Sequence, residues 1–423
     1  MNSFCLIVKN NIESILLFAF PLFFLTIKSY SNTILVLIFL YSVIKISFNH
    51  KLFLKNRDSK FWLLFISITL PFSAELIVQI LREDFNINAL DGPVRFLAGG
   101  VMFIYFSKCD LLPKHFHYFS LGCFISIFVT FFVTLFFKEH YWGSRIASYF
   151  SDPNTIAVYS VVLFFGSFFY VSRLNSIQLQ LLAHSTLLFS TIYLIIGSGT
   201  RTSWISFLIA LILKLFLVDK KYNYLFLYSL FFVAIIPSLL LLSPDIYEYF
   251  LSRCSKTFDS INSYLNGYST NTAIGIRLNL ILIDIELIKN HLWLGIPDGT
   301  LPSFESLNSS LPTITEIDYH TRLFSGSHVE MLAQMARKGF ILGLLSSLSL
   351  FVLPLIISFR SAFYTKHKNL IMCTALLVTL SLLISSFGIQ VFPLKMTSSF
   401  WAFFLVLIYS NYYQMSGSPN QNS

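Results

Sequence analysis

Apolar runs long enough to cross a lipid bilayer follow one another along most of this 423-residue chain, and that succession limits its fold more than any other feature. A spanning helix needs about 20 apolar residues. Runs of that kind lie near 12–28, 31–48, 61–80, 94–107, 118–137, 155–172, 179–197, 202–218, 223–242, 332–357, 369–387 and 397–413. The expected fold is an all-α integral membrane protein with about 12 transmembrane helices. Composition agrees: 55% of residues are hydrophobic, 12% are charged and mean hydropathy is +0.71. A soluble domain carries about a quarter charged residues. The 47 phenylalanines suit lipid-facing surface better than a close-packed aqueous core.

Basic residues in the short loops set the orientation. Lys51, Lys55, Arg57 and Lys60 follow the second run, Lys108 and Lys114 the fourth, and Arg173 the sixth. Lys220 and Lys221 follow the eighth, and Arg360, Lys366 and Lys368 the tenth. All of these fall on one side, expected to be cytoplasmic together with both termini; Lys28, Arg82 and Lys138 are the minority on the other. The formal charge of +9 is then largely a topogenic signal, which argues against nucleic acid as a partner. Cys5, Cys109, Cys123, Cys254 and Cys373 show no CxxC or CxH spacing, so neither a disulfide framework nor a zinc site is expected. The first apolar run lacks a small-residue cleavage site and reads as a retained helix.

One long polar interval, Ser243 to Met331, interrupts the pattern. It faces outside on this topology, in the periplasm if the cell is Gram-negative, and its aliphatic density from Ile274 to Leu294 is too high for disorder. The expected organisation is a transmembrane bundle over 1–242, a folded helical loop between the ninth and tenth spans over 243–331, and further transmembrane helices over 332–413. The tail at 414–423 is expected to be disordered.

A few polar residues on the outer side stand out. Arg201 lies in "GSGTR", where backbone N–H groups, hydroxyls and a guanidinium come together, the parts an anion site uses. Arg277 lies in an apolar helical run, and Arg145 in "SRIASYFSDPN". Each arginine has a plainer reading as an interfacial anchor, and Arg277 another as an ion-pair partner of Asp284 or of another acid in the loop. His328 in "SGSHVE" sits at an expected helix N-terminus that Ser325 or Ser327 can cap. A neutral imidazole there can act as a general base, and a helix N-terminus disfavours the imidazolium. His320 competes for that role, and a structural histidine is the bland alternative. Glu75, within the third span, reads as a proton relay or as a residue near the outer helix end. No DxD pair serves a metal-dependent transferase, because Asp284 and Glu286 point in different directions on a helix. No Gly-rich phosphate loop faces the cytoplasmic side, so a sugar donor would be lipid-linked.

These residues in this order resemble the bacterial O-antigen ligase and polymerase family of membrane glycosyltransferases. "SRIASYFSDPN" is similar to that family's Arg-Ala-x-Gly…Pro-Asn segment, with Ile146 and Ser148 in place of Ala and Gly. "GSGTRTSWISF" is similar to its Ser/Thr-x-Ser/Thr-Arg motif, and "IGIRLNLILIDIELIKNHLWLGIPDG" to its Gly-x-Arg helix and following glycine element. "SHVEMLAQMARKGFILG" resembles its His-Asn…Gly helix, with Val329 in place of Asn. The resemblance implies a transfer without metal or other cofactor from an undecaprenyl-pyrophosphate-linked glycan. Arg201 and Arg277 would bind the donor pyrophosphate, with Arg145 a looser candidate, and His328 would deprotonate the acceptor. A ligase uses lipid A–core as acceptor, a polymerase another lipid-linked glycan; the ligase is the preferred reading. A lipid-glycan transporter would call for internal repeats and midplane charges, which do not stand out here.

Overall fold

The computed structural model describes residues 2–55, 57–109, 112–137, 145–217, 255, 258–264, 266, 272–297, 300–363, 369–392 and 395–417. Among them every regular element is helical. The first eight main helices are α1 (Asn2–Leu22), α2 (Tyr30–Phe48), α3 (Ser59–Arg82), α4 (Val94–Phe106), α5 (Leu112–Phe136), α6 (Pro153–Val171, with a local break at Ser167), α7 (Ile177–Ser198) and α8 (Arg201–Leu217). Four more follow in and just beyond the polar interval: α9 (Ala273–Asn290), α10 (Phe304–Ser310), α11 (Glu316–Ser325) and α12 (Glu330–Lys338). The chain closes with α13 (Phe340–Phe363), α14 (Leu370–Ser386) and α15 (Lys395–Gly417).

Six of these helices, α2, α3, α5 (from Pro113), α6, α7 and α13, are long and apolar enough to cross a membrane, and shorter apolar helices accompany them. The expectation of twelve spans is finer than this, and the run at 223–242, like Cys254 and the tail from 418, lies outside the described residues. Two helices form the axis of the bundle. α6 is apolar all round and buried on every face, and in α15 each residue from Phe400 to Tyr409 is buried. By contrast α2 turns Leu37, Leu40 and Ile44 outward, and α8 turns Leu208, Ile212 and Phe216 outward. Contiguous exposed aliphatic stripes of this kind suit lipid rather than water.

Local chemistry sets several helix limits. Asp152 caps α6 by accepting from the N–H groups of Asn154 and Thr155 (2.8 and 3.2 Å), with Pro153 at the first helical position. Within α13 a π turn covers Leu348–Val352, just ahead of Pro354. Pro354 has no N–H for the Leu350 carbonyl, which accepts instead from Trp401 Nε1 at 3.0 Å.

Where it is described, the polar interval is folded. Its helices enclose a small apolar cluster of their own, with Leu280, Ile283, Leu287, Ile296, Leu307, Ile314 and Ala336 at its centre. The apolar run expected to begin the tenth span at 332 divides at Gly339, so α12 is separate from α13. Gly339 has φ +75°, and a Cβ there would run into the Trp293 carbonyl. That close approach lets Phe340 N–H donate to Leu292 O (2.8 Å) and Ile296 N–H to Ala336 O (2.9 Å). Arg82, at the end of α3, completes the joint by donating to Leu294 O (3.0 Å) and Arg337 O (2.8 Å).

Candidate active site

The turn between α7 and α8 is built around Arg145. Ile146 N–H donates to Gly197 O at 2.9 Å, and Arg145 Nε donates to Ser198 O at 2.6 Å. Arg145 Nη2 also donates to Asn154 Oδ1 (2.9 Å) and Thr200 Oγ1 (3.0 Å). The guanidinium thus satisfies a carbonyl at the C-terminus of α7 and ties three segments together. Gly199, with φ +66°, allows the reversal, so that Arg201 becomes the first residue of α8. At that N-terminus the helix dipole favours an anion, and the hydroxyls of Thr202 and Ser203 are buried without partners among the described residues.

Arg277 approaches from the first turns of α9, which Thr272 caps by accepting from Gly275 N–H at 3.0 Å. Burial first, and then the positive charges of Arg201 and Arg145, hold the Arg277 guanidinium below its ordinary value. His328 is half-buried in the turn between α11 and α12. Burial first, and the charge of Arg277 second, push its imidazole down to about 4. All four residues singled out from the sequence therefore share one electrostatic neighbourhood. Among the described residues neither Arg201 nor Arg277 forms an ion pair.

Several local expectations come out differently. α12 begins at Glu330 with Val329 as its cap, and no side chain caps it. Ser327 instead accepts from Val329 N–H at 3.1 Å and donates to Asp284. The neutrality of His328 thus comes from burial and Arg277. Asp284 does not pair with Arg277; its buried carboxylate accepts from Arg322 Nε at 2.8 Å. Asp284 and Glu286 do diverge, the latter turning to Lys289 and Asn290. His320 is exposed and stacks on Phe324. Glu75 is buried, accepts from Gln79 Nε2 at 3.2 Å and lies 3.8 Å from Lys338 Nζ.

Two supports went unread in the sequence. Asp284 lies seven residues, about two turns, after Arg277 on the same face of α9, so its bonds to Arg322 and Ser327 fix Arg277 relative to His328. A buried-face Asp in an apolar helical run was the available signal. Glu330 is the other support, its Oε2 accepting from the N–H groups of Val391 and Phe392 (3.2 and 3.4 Å). It holds the segment after α14 in place, where Gln390 packs against Gly326 and Gly388 against Thr202.

A group able to hold a metal ion, Glu13, Cys109 and His115, gathers its ligand atoms within 4.8 Å of one another. It lies by the end of α4 remote from Val94, where Tyr41 and Tyr105 donate to Glu13. It takes no part in the arginine site.

The arrangement can bind a multiply charged anion and present a neutral imidazole beside it. Residues 186–347 match the family model described as O-antigen ligase, a stretch that contains Arg201, Arg277 and His328 and leaves out Arg145. Comparison with curated proteins found no match. Over that stretch, set among several membrane-length apolar helices, the chain is similar to the O-antigen ligase family.

Proposed function

We propose that the protein is a metal-independent, inverting glycosyltransferase that acts as an O-antigen ligase at the periplasmic face of the bacterial inner membrane. Its donor is a glycan on undecaprenyl pyrophosphate and its acceptor a hydroxyl of lipid A–core. The observation that carries this reading is the convergence of Arg145, Arg201 and Arg277 with His328, where Arg201 and Arg277 have no carboxylate partner among the described residues. Unpaired, partly buried guanidiniums favour a phosphate-rich ligand and match its oxygens bidentately.

In the proposed step the bond from the anomeric carbon to the pyrophosphate oxygen breaks, and the electron pair leaves with the lipid carrier. The acceptor oxygen forms the new bond from the opposite face, and His328 takes its proton. The arginines stabilise the charge that grows on the leaving pyrophosphate. With so good a leaving group, positioning of donor and acceptor is most of the remaining task. An imidazole held near 4 is a weak base in the empty site, but the bound pyrophosphate offsets the Arg277 charge and raises its basicity when it is needed.

The test uses the purified full-length chain in lipid nanodiscs with lipid-linked donor and either lipid A–core or a second lipid-linked unit as acceptor. Transfer to lipid A–core that survives EDTA supports the ligase; transfer only to the second lipid-linked unit makes the protein a polymerase. His328→Ala should keep donor binding and slow turnover by roughly a hundred- to ten-thousand-fold. Unchanged turnover in that variant would remove His328 from the mechanism.

A further inference from the structure

Glu330, two residues beyond His328, also lines a cavity of about 220 Å³ bounded by α3, the turn at 88–93, α12 and the start of α15. A single water needs only roughly 10–15 Å³ of such space. Drug-sized ligands fill about 300–1,000 Å³. The volume therefore suits a fragment of about one ring.

Its charges are already matched. Lys338 Nζ lies 3.8 Å from Glu75, Arg337 lies 3.9 Å from Glu330, and Lys395 pairs with Asp91. An ionic ligand would have to break one of these pairs to find a partner. Gln334 differs from them. It is 7% exposed, and its Nε2 donates to Glu330 Oε1 at 2.8 Å. Among the described residues its buried Oε1 has no donor. The amide orientation follows from chemistry, since a carboxylate oxygen can only accept. A buried acceptor left unmet calls for a donor, and a phosphate ester has none to give. Phe96 and Phe392 add an apolar wall on which the C–H face of a sugar ring can lie.

We propose that this cavity is a saccharide subsite, taking one neutral pyranose ring whose hydroxyl donates to Gln334 Oε1. The proposal rests on the glycan-transfer reading above. Two residues of chain reach no further than about 7 Å, so the Glu330 wall of the subsite lies close to the base. Lipid-linked donor and acceptor both carry such rings, and kinetics separate them.

Binding is measured first, without transfer, by saturation-transfer NMR on the purified full-length chain in nanodiscs with methyl glycosides of glucose, galactose and mannose. At least one should give a signal that Arg201→Ala retains and Gln334→Met loses. No signal with any of the three on the unmodified chain overturns the subsite, as does a signal that a folded Gln334→Met keeps. In the transfer assay Gln334→Met should raise the KM of one substrate about two- to tenfold, the value of one neutral hydrogen bond, and by more than kcat falls. A rise for the acceptor assigns the ring to the acceptor, and a rise for the donor assigns it to the donor glycan. No change in either KM overturns the proposal. Sugar binding that persists while Arg201→Ala and Arg277→Ala leave transfer intact would instead sink the pyrophosphate reading and leave the subsite standing.

Discussion

The pH dependence of turnover tests the site most directly. On the proposed mechanism, protonating His328 removes the base, so activity should fall as pH falls. The position of that fall is set by burial and by Arg277, which hold the imidazole down to about 4 instead of an ordinary 6.5. At pH 5.5 a group titrating at 4 is about 97% neutral, whereas one titrating at 6.5 is about 9% neutral, a difference of roughly tenfold in available base. Because kcat/KM reports the free protein, its acid limb should stay flat to about pH 5. The limb of kcat reports the complex, in which the donor's negative charge stands beside Arg277, so it should lie at higher pH than that of kcat/KM. Initial rates across pH 4.5–8, with folding checked at each end, separate the two. A kcat/KM limb centred near 6.5, or a kcat limb below that of kcat/KM, would refute a buried, arginine-depressed base.

Arg201→Lys and Arg277→Lys should fail to restore the transfer that the alanine variants lose, because the planar fork matters as well as the charge; full activity in Arg201→Lys would mark that residue as a headgroup anchor. Arg322→Met leaves the Asp284 carboxylate buried and unpaired, a loss of about 3–5 kcal/mol. Hydrogen exchange of the α9 amides should speed up by roughly two to four decades, and a change under tenfold would remove Asp284–Arg322 from the role given to it. In intact cells a membrane-impermeant thiol reagent should label a cysteine placed at Asn308 and spare one at Lys55, and the reverse pattern would invert the orientation and with it the periplasmic site.

What could be read from the chain alone was whatever depends on near neighbours. Helices in lipid follow from the length of an apolar run, and α2, α3, α5, α6, α7 and α13 lie where those runs are. "GSGTR" read as a turn carrying an arginine between two apolar runs because a turn is a matter of a few residues, and α8 does begin at Arg201. Arg277 was visible as a charge in an apolar run, and His328 as a histidine at an expected helix start. Their partners were not visible, because a charge finds its counterpart through space. Asp284 is 38 residues from Arg322 and 43 from Ser327, and only the packing of α9 against α11 and α12 brings them together. The break at Gly339 was hidden for the same reason. Its cause is the Trp293 carbonyl, 46 positions earlier, pressed where a side chain would stand. The value of about 4 at His328 is likewise a tertiary quantity, made of burial and a guanidinium 51 positions away. Spacing along the chain sets which groups are at hand, but desolvation and Coulomb energy depend on distance and on the removal of water, and both are settled only when the helices pack.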